Sequence, residues 1–352
     1  MKPTYFHRVA ELTGTKFWIN NVTRDEARWA LEAGARGCTQ NPSYTWKMLT
    51  HPTEGAHAGA LLDEAIRQSK DDNEVECILQ RKLVKGISDL FLPLWESSRG
   101  EHGYVSIQGD PINEEDAHVI IEEGRKNREL NPNVMIKIPA TKAGLEAMDV
   151  LIAENTPINA TEVMGLRQAI DICQMYRQLS LKTGRKPKIF YSVITGIYDE
   201  YLQNYVKREG ITISPDILHL AGMIIAKKIY TATKAQYPEV GFIGGGVRGL
   251  HHFTEMVGGD VCITMNWSGQ AEELLKLDQP VVPRLFNPVP ENYLDALLTH
   301  LPEFRRAYFE HGLKVEEYEH FGPVDYFRQM FIAAWKSALE TIARRRAELA
   351  AK

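Results

Sequence analysis

Val134-Met135-Ile136-Lys137-Ile138-Pro139-Ala140-Thr141 is an apolar, strand-like run with one lysine in its middle. An ammonium group has no structural use in such a place unless the side chain sits at a strand end and snorkels to water. In low-dielectric surroundings the amine loses its preference for the charged form, and the free amine is a nucleophile toward carbonyl carbon. The product of that chemistry is a Schiff base.

Outward from this run, short β-rich segments that end in polar residues alternate with helical ones. They are Lys16 to Asn20, Gly37 to Thr39, Gly103 to Gln108, Val134 to Ile138, Pro157 to Thr161, Lys188 to Ser192, Val240 to Gly244 and Asp260 to Thr264. Eight strands with intervening helices predict an α/β chain folded as a (β/α)8 TIM barrel. Thr23 with Glu26 makes a capping box, and Ser214-Pro215 opens another helix. The piece from Tyr44 to Arg99 predicts two or three extra helices between strands 2 and 3. Tyr326 to Ala351 predicts a C-terminal helix, in which Arg344-Arg345-Arg346 reads as a solvated end. One domain is expected over 1–352, with a barrel core at about 16–265 and a helical extension at about 266–352.

The 352 residues include 41 basic and 46 acidic ones, a net charge of −5, which argues against a nucleic-acid or anionic-membrane partner chosen by bulk charge. No stretch approaches the ~18 uncharged apolar residues of a membrane span, and the N-terminus lacks a signal-peptide core, so a cytoplasmic location is expected. Cys38, Cys77, Cys173 and Cys262 have neither paired nor metal-type spacing and read as buried, reduced thiols. The pair His251-His252 has no ligand partner at a firm spacing, so helix-surface residues and no metal are expected.

In such a barrel the functional residues lie at the C-terminal ends of the strands. Those ends are Asn20, Thr39 with Asn41, Gln108 with Asp110, Lys137 with Thr141, Asn159 with Thr161, Ser192, Gly244 to Arg248, and Asn266. They form a polar ring around one lysine. An imine-forming site needs such a ring: donors for substrate hydroxyls, an acid-base group, and a positioned water to hydrolyse the imine.

Four motifs stand in register along this barrel, Thr39-Gln40-Asn41-Pro42-Ser43, Ile136 to Thr141, Asn159-Ala160-Thr161 and Gly244 to Arg248, and with them the chain resembles the transaldolase family from roughly Lys16 through Met265. Gly37-Cys38-Thr39-Gln40-Asn41-Pro42-Ser43 is similar to the family's T-x-N-P-S signature, and Ile136-Lys137-Ile138-Pro139-Ala140-Thr141 to its Schiff-base strand. Asn159-Ala160-Thr161, with Gln168 further on, resembles its fifth strand, and Gly244-Gly245-Gly246-Val247-Arg248 the loop after its seventh. The resemblance implies that Lys137 forms an imine with a ketose and that Asn41, Asn159 and Ser192 contact the dihydroxyacetone unit. It also implies that Thr161 orients the catalytic water, and it adds Thr39 and Ser43 to the substrate contacts.

The departures bear on the acid-base chemistry. Transaldolases place an aspartate at the end of strand one and a glutamate on strand three, where this chain has Asn20 and Gln108. An amide positions water but takes no proton at neutral pH. The fructose-6-phosphate aldolase branch also carries glutamine on strand three, with a tyrosine after strand six; Ile194 stands there, and the nearest phenols are Tyr191 and Tyr198. Two carboxylates are candidate replacement bases. Asp110 follows Gln108 by two, so alternation points it to the same side, with a loop cap as the other reading. Glu162 occupies a position that is apolar in the family, and alternation from Thr161 sends it outward unless the strand has ended, where Arg167 would be a partner. Of the family's two phosphate-binding arginines only Arg248 is present, Ile197 replacing the other, though the glycine run through Gly246 offers backbone N–H groups to an anion.

Three readings follow. The first is a transferase moving a dihydroxyacetone unit through a Lys137 enamine to an aldehyde acceptor. The second is an aldolase that releases the ketone by hydrolysis, and the third a catalytically altered sugar-binding protein. The expected partner is a small-molecule sugar or sugar phosphate, with no cofactor beyond the covalent lysine imine and neither metal nor nucleotide. The C-terminal helices are expected to cover the barrel or to mate with another subunit in a homo-oligomer.

Overall fold

In the computed structural model, which describes residues 2–351, eight parallel strands close into a barrel in chain order. They are β1 (Lys16–Asn20), β2 (Gly37–Gln40), β3 (Tyr104–Gln108), β4 (Val134–Pro139), β5 (Ile158–Val163), β6 (Ile189–Ile194), β7 (Gly241–Gly245) and β8 (Cys262–Met265). Each lies where the sequence placed it, with ends shifted by a residue or two. The helices Tyr44–Thr50, Gly55–Ile66 and Asp72–Ser97 separate β2 from β3, and past β8 the chain carries helices through Gly322–Ala350.

Inward residues from the lower part of the strands build the floor of the barrel. Trp18, Tyr104, Met135, Phe190, Ile243 and Cys262 form one buried cluster, with Trp18 set edge-on to Phe190 at 5.3 Å between ring centroids. These large rings fit because two inward positions carry no side chain: a Cβ on Gly37 would stand 2.4 Å from the Trp18 ring, and one on Gly241 2.3 Å from Phe190. The floor closes the barrel below, so the next inward row faces the open upper end. In that row Gln108, Lys137 and Asn159 are direct partners across β3, β4 and β5.

The upper end is roofed by the C-terminal helix Gly322–Ala350. Its Phe327, Met330 and Phe331 line the space above Lys137, and the Phe327 and Phe331 rings lie 4.2 Å apart. Trp335 is fully buried and donates its indole N–H to Asn73 Oδ1 at 2.7 Å on the helix Asp72–Ser97. The arginine run is a solvated end only at the exposed Arg344: Arg345 holds Asp63 at 2.6 Å and Arg346 holds Asp72 at 2.7 Å, tying the last turns to the helices beneath. Dipole arguments alone could not anticipate these long-range pairs.

All four cysteines are free and buried. The histidine pair departs from expectation, because His252 is buried and meets Asp199 at 2.9 Å instead of facing solvent from a helix. Among the described residues no helix is long and apolar enough to cross a membrane.

The roof is expected to be a major share of the stability. Trp335→Ala should lower the unfolding free energy by about 3–5 kcal/mol in urea titrations, and Trp335→Phe by less. A loss below about 1 kcal/mol for the alanine variant would show that the helix is not packed as described.

Candidate active site

Lys137 ends the inward row of β4 in a setting that leaves the amine one strong partner. It is 7% exposed, its Nζ donates to Gln108 Oε1 at 2.8 Å, and the Phe331 ring centroid lies 5.6 Å away. A lysine only donates, so the Gln108 oxygen must face it, and the amide nitrogen must face the other way. That nitrogen donates to Glu162 Oε1 at 2.9 Å. Gln108 therefore bridges an amine and a carboxyl group.

The inward turn of Glu162 comes from a bulge that alternation does not foresee. The β5–β6 register shifts between Ala160 and Val163, and Glu162 takes φ 61°, a left-handed conformation that is sterically costly for a residue with a Cβ. Gln168 holds the distortion: its amide nitrogen donates to Ala140 O at 2.8 Å and Glu162 O at 3.3 Å, and its oxygen accepts from Met164 N at 2.9 Å. Arg167 pairs with Asp171 and Glu310, so it is not the partner of Glu162.

Burial opposes charge on both ends of the bridge. It pulls the Lys137 amine down to about 8, against the opposing pull of Glu162 and Glu114, which favour the ammonium. It pushes the Glu162 carboxyl up to about 7, offset by the Gln108 hydrogen bond and by Lys137 and Arg328. Glu114 lies beyond, its carboxyl held well above the usual carboxylate range by burial and by Glu162; Arg328 Nε stands 3.0 Å from its Oε1, although neither Glu114 oxygen accepts a hydrogen bond from the described residues. Glu114 and Arg328 were not picked out in the sequence. Arg328 comes from the roofing helix, 166 positions after Glu162 by their numbers, and no local pattern joins them.

In front of Lys137 is a pocket of about 330 Å³, within the range of small-ligand sites. It brings together Asn20, Thr39, Asn41, Ser43, Thr161, Ser192, Gly246 and Arg248 as the strand ends predicted. The hydroxyls and amides hold one another in place. Thr39 donates to Asn20 Oδ1 at 2.9 Å, Asn20 donates to Asn266 Oδ1 at 3.0 Å, and Asn41 Oδ1 accepts from Asn21 at 2.8 Å and Ser43 Oγ at 2.6 Å. Ser192 donates to Asn159 Oδ1 at 2.7 Å, and Asn159, fully buried, lies beneath the pocket wall. Thr161 lines the pocket, and its buried Oγ1 has no hydrogen-bond partner among the described residues. Arg248 is held by Glu200 at 2.9 Å. Lys47, also missed in the sequence, lines the pocket, donates to Asn21 O at 2.6 Å and has no ion-pair partner among the described residues.

Asp110 does not join this group. β3 ends at Gln108, so alternation stops there, and the Asp110 oxygens accept from Asn73 at 2.7 Å, Ile112 N at 2.7 Å and Asn113 at 2.6 Å. It is a loop cap, outside the 330 Å³ pocket. Neither phenol replaces it: Tyr191 bonds Thr233 at 2.6 Å, and Tyr198 bonds Glu303 O at 3.4 Å.

A family model described as Transaldolase/Fructose-6-phosphate aldolase matches residues 17–284. The chain is 24% identical over 330 residues to a transaldolase of Thiobacillus denitrificans, an alignment covering 88% of this chain and 89% of that one. It is 26% identical over 314 residues to a transaldolase of Mycobacterium bovis, covering 82% and 79%, and 26% identical over 315 residues to one of Mycobacterium ulcerans, with the same shares.

The bridge makes the charge of Lys137 depend on Glu162. Carbamylation of Lys137 by cyanate, which attacks free amines, is expected to rise with pH through a midpoint near 8, read by mass spectrometry of its peptide. Glu162 favours the ammonium, so Glu162→Gln should move that midpoint to lower pH. An unmoved midpoint would separate the two groups electrostatically.

Proposed function

Since the chain belongs to the transaldolase/fructose-6-phosphate aldolase family, we propose that it moves a three-carbon dihydroxyacetone unit from a ketose or ketose phosphate to an aldehyde acceptor, through an imine at Lys137. The observation that carries this reading is a buried amine with a depressed pKa, bonded to one neutral amide and opening on a polar pocket. A structural lysine at a strand end would instead reach solvent or a carboxylate.

The neutral Lys137 nitrogen adds to the ketose carbonyl carbon, and loss of water gives the iminium ion. The iminium is the electron sink for the next step: the C3–C4 bond breaks as the C4 hydroxyl loses its proton, leaving an enamine on Lys137 and a free aldehyde. Addition of the enamine to an acceptor aldehyde and hydrolysis of the new imine return the amine. Glu162 is the proton acceptor that replaces the missing carboxylates, reached through a water oriented by Thr161. Its carboxyl group, near 7, is suited to give and take a proton at neutral pH. Asn20, Thr39, Asn41, Ser43 and Ser192 hold the substrate hydroxyls, with Asn159 positioning Ser192. Arg248 and Lys47 are the cations available to a phosphate. Gln108 favours a second reading, hydrolytic release of the ketone, because the aldolase branch of the family carries glutamine at that position.

Borohydride with a ketose should leave a reduced three-carbon adduct on Lys137, and Lys137→Met should abolish both adduct and turnover. Activity surviving in that variant would sink the imine mechanism. Glu162→Gln should keep the adduct with dihydroxyacetone while turnover falls by about 10²–10⁴-fold. Product analysis with and without an acceptor aldehyde separates transfer from release.

A further inference from the structure

A second cluster of chemically capable side chains lies outside the lysine pocket, on the segments that follow β6 and β7. Asp199 stands in the helix Gly196–Glu209, and His251 and His252 open the helix His251–Thr254. Asp199 Oδ2 is 2.9 Å from His252 Nε2 and 4.0 Å from His251 Nε2, and one ligand atom from each of the three residues lies within 4.8 Å of the others. Asp199 and His252 are buried, His251 is half-buried, and all three line a cavity of about 290 Å³ with His219. The His219 ring lies against His251 at 3.7 Å between centroids.

We propose that Asp199, His251 and His252 form a binding site for one divalent transition-metal ion of the zinc type, with water in the position that faces the cavity. Tetrahedral ligands at about 2.0–2.1 Å from a metal stand roughly 3.3 Å apart, and the observed separations of 2.9 and 4.0 Å bracket that spacing. Two imidazoles and one carboxylate suit zinc and its neighbours, whereas magnesium and calcium take oxygen ligands. The outer contacts are those that orient metal ligands. Asp199 Oδ1 accepts from Gly222 N at 2.6 Å, and His252 Nδ1 lies 3.1 Å from both Gly249 N and Gly249 O, which commits Nε2 to Asp199. His251 Nε2 lies 3.0 Å from His219 O, a hydrogen bond the ring exchanges for the metal.

Such an ion joins the segment carrying Ile197 to the one carrying Arg248, both of which line the lysine pocket. Its effect is to fix that rim, and no step of the imine chemistry passes through it. A simple buried His–Asp hydrogen bond is the competing account, and metal titration separates the two.

Full-length, tag-free protein stripped with chelator is titrated with cobalt(II), then with zinc(II). One cobalt per chain, visible absorption of four- or five-coordinate intensity and its displacement by zinc are expected. His251→Ala should weaken cobalt binding at least about tenfold, judged on protein whose circular dichroism matches the parent. Asp199→Asn, which keeps the oxygen that accepts from Gly222, reads the same loss if His251→Ala does not fold. Absence of stoichiometric cobalt, an octahedral aqua spectrum, or undiminished affinity in a folded variant would overturn the site.

Discussion

The hydrogen-bonded line from the Lys137 amine through the Gln108 amide to the Glu162 carboxyl is the constraint around which the upper barrel is arranged. A buried ammonium without a partner is too costly to keep, and a direct lysine–carboxylate pair would hold the amine charged and unreactive. An amide between them avoids both outcomes. It gives each ion a polar contact while keeping the charges one side chain apart, so neither charge is fully neutralised. The surrounding contacts keep that amide in place. Gln80 donates to the Gln108 carbonyl at 2.9 Å, the bulge presents Glu162, and Gln168 fixes the bulge.

The roofing helix completes the arrangement and shapes its electrostatics. Phe331 covers Lys137 and keeps the local dielectric low, while Arg328 from the same helix supplies positive charge near Glu162 and Glu114. Asn73 connects roof and barrel: its oxygen takes the Trp335 N–H, and its nitrogen bonds Asp110, the cap of the loop after β3. Asp110 thus serves the site by shaping that loop. The apolar lining of the pocket comes from Ile194, Ile197, Val247, Phe327 and Phe331.

How much of this was legible in the sequence depended on the range of the interaction. The strands were readable because each is a short β-rich run with a polar stop, and ring closure then brought Asn20, Thr39, Lys137, Thr161 and Ser192 together without further information. Glu162 stood out as a carboxylate where an apolar residue was expected. Its direction was not readable, since a left-handed residue with a Cβ leaves no mark in the sequence and reverses the facing that alternation assigns. Asp110 failed for the opposite reason: alternation was carried past the last strand residue. Glu114, Arg328 and Phe331 stayed hidden because their partners are distant in the chain, and the His252–Asp199 contact for the same reason.

The two displaced ionisations also set a price in stability with a definite sign. Glu162 titrates near 7 in the fold against an ordinary 4.5, so the folded chain binds this proton more tightly, and stability falls as pH rises from about 4.5 to about 7. Lys137 titrates near 8 against 10.5, so the folded chain holds this proton more weakly, and stability falls as pH drops from about 10.5 to about 8. Between about 7 and 8 the two penalties overlap. That window is also where the amine and the carboxyl group both exchange protons readily. The buried amine and carboxyl group are therefore least favourable to folding in that window, and the packing of the barrel floor, the buried Trp335 and the arginine ties of the roof stand against that cost.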